Sequence, residues 1–211
     1  MRRIFAPVLC SLVLLLPACI PYGARHEYEE VGLSLTARGS GRLAIAVLDA
    51  RPYINPGEKS AKFVGVQRDA IGLPFDVETR SGRPFADDCL LVIARGLQSR
   101  GYEASSVITS NHDGPDEVRQ RLVASGGRSL MVRVVDWKLD SYDSSKLFFD
   151  LDAQVLSAGG EVLGRSRVLG ANEIKGNGLD PVGFAKLAGP MLFKAKAEQL
   201  LNDPAIVSAL R

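Results

Sequence analysis

The chain has 211 residues, with 26 Lys and Arg against 24 Asp and Glu. This length suits one domain with a sizeable core. The near balance of charge excludes the strongly basic composition that is typical of nucleic-acid-binding proteins. Arg2 and Arg3 are the only charged residues among the first 18, so the rest of the chain carries 24 basic and 24 acidic side chains.

Residues 1–18 have the features of an export signal. Two arginines precede a run from Ile4 to Leu16 that is apolar apart from Ser11. The run is shorter than the roughly 20 apolar residues that span a bilayer, and it ends at a small residue, as signal peptides do before their cleavage site. An ordinary cleaved signal with an incidental Cys19 and an uncleaved membrane anchor are the alternatives to a lipoprotein signal.

The end of this run, Leu16-Pro17-Ala18-Cys19, resembles the bacterial lipobox. The resemblance implies that Cys19 receives a diacylglycerol, that cleavage makes it the first residue, and that its new amine is acylated. Two or more chains hold a protein firmly in a membrane, whereas one chain binds reversibly. Ile20 stands where an Asp commonly signals inner-membrane retention, so the resemblance implies the outer membrane, with the protein facing the periplasm.

Cysteine usage excludes an internal disulfide. Cys10 lies in the signal and Cys19 would be lipidated, which leaves Cys89 as the one free thiol. Cys89 shares a face at helical spacing with apolar side chains. The members of that face are Phe85, Val92, Ile93 and Leu97. We therefore predict that Cys89 is a buried structural residue and not a nucleophile.

Residues 19–41 mix Pro, Gly and charged side chains and end in Gly-Ser-Gly. This composition predicts a lipidated N-terminus followed by a flexible tether that includes a short strand over 31–35. His26 in the tether and His112 in a later turn are predicted to be solvated loop residues. Residues 42–211 are predicted to form a single globular domain.

The first half of that domain alternates strands and helices. "RLAIAVLDARP" is continuously apolar and predicts a strand buried on both faces. "KFVGVQRD" and "PFDVETR" predict two short strands. A helix is predicted from an N-cap at Ser81, with Pro84 in its first turn, to Gly101. The strand "YEASSVIT" and a short helix between Asp113 and Gly126 follow.

The second half begins with three long strand patterns, "SLMVRVVDWKLDSY", "KLFFDLDAQVLS" and "EVLGRSRVLGANEI". Asp180-Pro181 then starts a long helix that Gly189-Pro190 should kink. The element order predicts an α+β fold, a mixed and largely antiparallel sheet with helices packed on one face as an α/β sandwich. A doubly wound α/β fold is the alternative, because the first half alternates.

Motifs for chemistry are missing from the sequence. "GRSRV" departs from the nucleophile motif at its last position, and neither histidine has a partner at metal-ligand spacing. Asp150 and Asp152 share one face of a strand, where a solvated surface explains them better than a catalytic pair. The glycine-rich loop from Lys175 to Pro181 precedes a helix, but lacks phosphate-loop spacing. We expect no catalytic residues, no metal and no cofactor.

The stretch "VVDWKLD" holds the one tryptophan of the chain. Strict alternation would place Trp137 on the face of Met131 and Arg133, with Asp136 on the opposite face. A large core aromatic under a helix is the first interpretation. The second is a surface for a partner or ligand that includes Trp137, Arg133 and Asp136, because Trp is enriched at interfaces.

Four sequence blocks carry a wider resemblance. They are the lipobox, the stretch from "AVLDARPY" to "PFADD", "VVDWKLD" and the closing "LLNDPAIVSAL". Together they resemble a family of uncharacterised bacterial lipoproteins akin to YajG over most of residues 43–210. More distantly, the layout is similar to envelope helper lipoproteins, including auxiliary components of lipid-trafficking ABC systems and activators of peptidoglycan synthases. The resemblance implies an α/β sandwich that binds a protein or lipid and has no chemistry of its own.

Three functions follow as hypotheses. The first is a non-enzymatic binding module, anchored in the outer membrane through acyl chains on Cys19, that serves an envelope protein complex. The second is a carrier or auxiliary component that binds lipid or a small apolar ligand between sheet and helices. The third, an enzyme, lacks a nucleophile, metal or cofactor motif in the sequence. No hypothesis includes a nucleic-acid partner.

Overall fold

A computed structural model describes residues 24–54, 56–69, 71–142, 144–174 and 181–211, with side chains from 184 onward in the last range. It contains the following strands: β1 Arg25–His26, β2 Arg42–Asp49, β3 Phe63–Arg68, β4 Pro74–Thr79, β5 Glu103–Ser106, β6 Arg128–Ser141, β7 Ser145–Leu156 and β8 Val162–Ile174. The helices are α1 Phe85–Gln98, α2 Pro115–Ala124, α3 Pro181–Leu201 and α4 Pro204–Leu210.

The sheet is organised around β6, which is 14 residues long. On one side, β7 pairs with it antiparallel along its length, and β8 pairs with β7. On the other side, two strands share β6 and both run parallel to it: β2 pairs with its first half and β3 with its last residues. β5 extends the sheet beyond β2, and β4 and β1 extend it beyond β3. The sheet is therefore mixed.

The predicted α+β class is confirmed, and the helices divide between the two faces of the sheet. Alternate residues of β2 belong to two clusters, one around Ile45 and one around Ala46. Helices α1, α3 and α4 cover the first face and enclose the main core. Helix α2 is the exception to the expected one-sided packing, because its Val118 and Leu122 pack on the second face against Met131.

Helix α1 forms over the predicted stretch, but its start differs in detail. Pro84 is the N-cap residue, and the Ser81 hydroxyl donates to the Asp88 carboxylate at 2.7 Å instead of capping the helix. Gly101 follows the helix with a φ of 98°. Glycine adopts this positive φ without the steric cost that a Cβ imposes on other residues. Cys89 is 1% exposed, which agrees with the predicted buried thiol, and burial raises its pKa well above the usual value.

The segment 24–41 is not a flexible tether. Tyr28 is fully buried, and Leu33, Leu35 and Ala37 alternate with exposed residues and pack into the main core. We call residues 24–37 the strap. Burial of these alternating apolar side chains in the core holds the strap in place. The strand expected over residues 31–35 does not form.

Polar contacts bind the strap to α3 and α1. Ser34 N donates to Glu198 at 2.6 Å, and Thr36 N donates to Asn202 at 2.8 Å. Asn202 Nδ2 in turn donates to the carbonyl of Ser34 at 3.0 Å. On the other side, Arg95 of α1 donates to the carbonyl of Glu29. The strap thus takes up the position between these helices where an apolar ligand groove could lie.

His26 is also placed differently from the prediction. It is 1% exposed, and its Nδ1 lies 3.4 Å from the hydroxyl of Tyr28. His112, in contrast, is exposed in the turn before α2, as predicted. No helix among the described residues is both long and apolar enough to cross a bilayer.

Candidate functional site: the open face of the sheet

Among the helices that the structure describes, α2 is the one that packs on the second face of the sheet, near the start of β6. The pairing of β6, β7 and β8 aligns their remaining outward side chains in cross-strand rows on this face. We call this surface the open face. Its residues are Arg133, Asp136, Lys138 and Asp140 of β6; Lys146, Phe148, Asp150 and Asp152 of β7; and Arg165, Arg167 and Leu169 of β8.

Arginines hold both aspartates of β7. The side chain of Asp152 is fully buried, with Arg165 Nε 3.0 Å and Arg133 Nε 3.4 Å from its carboxylate oxygens. Arg167 Nε donates to Asp150 at 2.7 Å. The two aspartates therefore lie on the outer face of the strand, as predicted. Their carboxylates are not simply solvated, however, because they are the counter-ions of arginines in a charge network.

Phe148 lies on the same face between two lysines. The Nζ atoms of Lys138 and Lys146 are 4.9 and 5.0 Å from the centre of its ring. A cation above an aromatic face is attracted by the ring quadrupole. Neither lysine has a carboxylate within ion-pair distance among the described residues. The sequence analysis did not predict this group of three side chains. The available signal was Phe148 itself, an aromatic residue on the polar side of an alternating strand.

The three residues expected to form a partner surface are separated by the structure. Arg133 lies on the open face beside Asp152. Asp136 lies there too, but its carboxylate accepts a hydrogen bond from the hydroxyl of Tyr53 at 2.9 Å. Trp137 is fully buried on the opposite face. Only the first two can therefore contribute to a surface.

A β-bulge in β6 explains this separation. The pairing with β7 shifts between Val134 and Asp136, so that one extra residue, Val135, stands in β6. The extra residue reverses the alternation, and Trp137 shares the core face with Val132 and not, as strict alternation predicts, with Met131. The core interpretation of Trp137 agrees with its burial.

Trp137 is packed among aromatic rings and has a satisfied indole. Its ring stacks on that of Phe85 at 5.6 Å and meets that of Phe193 edge-on at 5.7 Å. The indole Nε1 donates to the hydroxyl of Tyr28 at 3.1 Å. This cluster joins the strap, α1, α3 and the sheet, so its role is to hold the fold together.

Tyr53 lies in the loop after β2 beside a buried ion pair, with the guanidinium carbon of Arg51 5.7 Å from the centre of its ring. The fully buried Arg51 donates from Nε to Asp49 at 2.8 Å and from Nη1 to the carbonyl of Phe63 at 2.5 Å. Burial raises the pKa of Tyr53, which keeps its hydroxyl protonated as the donor to Asp136. Asp136 thus lies on the open face and is bound there by the loop after β2.

Within the described residues, no three His, Cys, Asp or Glu side chains are grouped as a metal site would require. A cavity of about 350 Å³ lies beside β5 at the start of β2 and β6. Its lining includes Arg42, Gln98, Glu103 and Arg128. These polar side chains do not suit an apolar ligand.

Two sequence features lie outside the described residues. They are the lipidation site Cys19 and the glycine-rich stretch of residues 175–180. The prediction for each therefore remains a prediction.

No family model and no characterised protein sequence matches the chain. Among solved structures, it is similar to protein XCC0632 from Xanthomonas campestris, of the DUF330 family, with a TM-score of 0.52 and 13% identity over 89% of this chain and 95% of that one. Lipoprotein GNA1162 from Neisseria meningitidis also matches, with a TM-score of 0.29 and 15% identity over 76% of this chain and 97% of that one. The likeness to the Xanthomonas protein establishes a shared fold.

Proposed function

We propose that this protein is an envelope lipoprotein, anchored in the outer membrane through acyl chains on Cys19 and facing the periplasm. In this proposal it is a binding module without catalytic activity, and the open face contacts a protein of an envelope complex. The export signal and the lipobox resemblance support the anchor. The observation that carries the binding role is Phe148 between Lys138 and Lys146.

The chemistry of this group defines the partner. A half-exposed aromatic ring flanked by two lysines fits an apolar side chain surrounded by carboxylates on the partner surface. The neighbouring aspartates are bound by arginines: Asp140 by Arg68, Asp150 by Arg167 and Asp152 by Arg165. Within the described part of the chain, the open face therefore offers two lysines without a carboxylate partner beside an apolar ring.

The carrier hypothesis finds less support among the described residues. Tyr28, Leu33 and Leu35 of the strap occupy the space between α1 and α3. The cavity beside β5 has a polar lining that includes Arg42 and Glu103. We therefore favour protein binding over transport of an apolar ligand.

Site-specific crosslinking in cells tests the binding role. A photoreactive amino acid at position 148 of the full chain should give a discrete protein adduct. The same amino acid at position 108 should not, although Ile108 is 64% exposed. Charge reversal by Lys138→Glu with Lys146→Glu should reduce the adduct several-fold, because both changes oppose an acidic partner.

The matched control for charge reversal is Arg42→Glu, at an arginine that is 88% exposed and lies near β5, away from the open face. It should leave the adduct unchanged. Equal labelling from positions 148 and 108, or an adduct that is insensitive to the two lysine changes, would contradict the proposed surface.

A further inference from the structure

One end of the sheet carries two neighbouring turns. β3 and β6 run parallel and are paired from Gly65 opposite Leu139 to Gln67 opposite Ser141. The turns that follow these two strands therefore leave the sheet at the same end. Here we call it the β3–β6 end.

The side chains at this end include large apolar groups in contact with solvent. Ile71 is 80% exposed, Leu73 is 53% exposed and Tyr142 is 43% exposed. The first turn is not loose, because the Asp69 carboxylate accepts from the backbone N–H of Ile71 at 3.0 Å and of Leu73 at 2.9 Å. Gly72 supplies the positive φ of 86° that the turn needs. The fold therefore holds these apolar side chains outward.

The strap begins beside the last residues of β4, about four residues or roughly 13 Å from the β3–β6 end, and its upstream side is directed towards that end. The carbonyl of Ala24 accepts from Glu78 N at 3.4 Å, and β1 runs parallel to β4. The N-terminal side of β1 is thus the side on which β4 begins, at Pro74, directly after the turn that carries Ile71. A lipid on Cys19 would be separated from Ala24 by five residue steps, which reach at most about 18 Å.

These observations fit one occupant. We propose that the β3–β6 end rests on the phospholipid leaflet that holds the acyl chains, with Ile71 and Leu73 among the headgroups and Tyr142 beside them. This inference rests on the lipid anchor of the proposed function. Apolar side chains enter the boundary between headgroups and acyl chains, and tyrosine favours that depth because its ring is apolar and its hydroxyl is polar.

The orientation has a consequence for binding. With the β3–β6 end on the leaflet, strands β6, β7 and β8 extend away from the membrane surface. The open face is then roughly perpendicular to that surface. A partner that contacts Phe148 would then lie beside the protein on the same membrane.

Spin labels in reconstituted full-length protein test the inference. Ile71→Cys and Ile108→Cys would each be labelled with a nitroxide in vesicles of phosphatidylethanolamine and phosphatidylglycerol. Cys89 is 1% exposed and stays unlabelled, and an acylated Cys19 has no thiol. In the vesicles, the label at 71 should be more accessible to oxygen and less accessible to a water-soluble nickel chelate than the label at 108. The label at 108 should remain in water. Fluorescence of the buried Trp137 checks that both variants are folded.

The intact mass of the same samples separates the two proposals. An acylated protein whose labels at 71 and 108 are equally exposed to water would overturn the orientation and leave the anchor intact. A mature protein without acyl mass would overturn both. Leu73→Cys provides a second label on the same turn and should agree with position 71.

Discussion

A row of hydrogen-bonding side chains crosses the centre of the core. Trp137 Nε1 donates to the Tyr28 hydroxyl at 3.1 Å, and that hydroxyl lies 3.4 Å from Nδ1 of His26. His26 Nε2 has no hydrogen-bond partner among the described residues. Burial, with a smaller contribution from the charge of Lys186, lowers the pKa of His26 from 6.5 to about 4. The imidazole is thus held neutral inside the fold.

This shift predicts a loss of stability in mild acid. The unfolded chain binds a proton at His26 below pH 6.5, whereas the folded chain binds it only near pH 4. The free energy of unfolding therefore falls as pH decreases between these values, by about 2 kcal/mol from about pH 7 to about pH 5. Urea unfolding of the parent and of His26→Gln at both pH values measures the difference. The variant should lack this part of the pH dependence.

His112→Gln is the matched control, because His112 is exposed in a turn. It should retain the pH dependence of the parent protein. If His26→Gln and the parent lost stability to the same extent on acidification, His26 would not be the buried neutral group described here.

At the scale of elements, the contact between the strap and α3 depends on a close approach. Pro190 lies inside α3, and Gly189 next to it faces the strap. A Cβ on Gly189 would come within 2.5 Å of His26 Nδ1 and 2.8 Å of the Tyr28 hydroxyl. The helix can therefore approach the strap this closely only because position 189 has no side chain.

Gly189→Ala should destabilise the protein, although replacing glycine by alanine in a helix usually stabilises it. In an exposed helix, Ala is more favourable than Gly by about 1 kcal/mol. Here the added methyl group would displace His26 and Tyr28, and overpacking of this kind costs about 1–3 kcal/mol. Denaturant unfolding should show a destabilised variant, whereas Gly32→Ala in the strap should be close to neutral because nothing lies within 4 Å of its added Cβ. A Gly189→Ala variant as stable as the parent would contradict the packing described.

At the scale of the molecule, the strap belongs to the folded domain. Tyr28, Leu33 and Leu35 lie in the main core, and Tyr28 is the partner of the Trp137 indole. Full burial of each such side chain contributes about 1.5–3 kcal/mol, which is large beside a typical net stability of about 5–15 kcal/mol. The folded domain therefore includes the strap as well as residues from 42 onward.

Two shortened chains test this assignment. A chain that begins at Ala24 should fold cooperatively, whereas a chain that begins at Arg42 should lose the native Trp137 fluorescence and unfold at much lower denaturant. Circular dichroism and fluorescence-detected urea unfolding measure the difference. Equal stability of the two chains would show that the strap adds nothing to the fold.

Features that depend on near neighbours could be predicted from the sequence. The helical spacing around Cys89 identified the buried face of α1, and Leu147, Phe149 and Leu151 of the predicted strand alternate into the core. These assignments succeed because the periods of 3.6 and 2 residues are properties of the local backbone. The candidate site was predicted in part: Asp150 and Asp152 were placed together on the outer face, but their arginine partners come from other strands and depend on register.

The sequence by itself determined the strand and helix pattern, the burial of Cys89 and the resemblance that points to Cys19. Only the tertiary structure decided three other features: the bulge at Val135 that turns Trp137 into the core, the burial of Asp152, and the place of the strap. The strap shows the physical reason. Its alternating apolar residues from Leu33 to Ala37 do not by themselves distinguish a flexible tether from an ordered segment. The segment becomes ordered because its apolar side chains are buried against α1 and α3, and this burial offsets the loss of chain entropy.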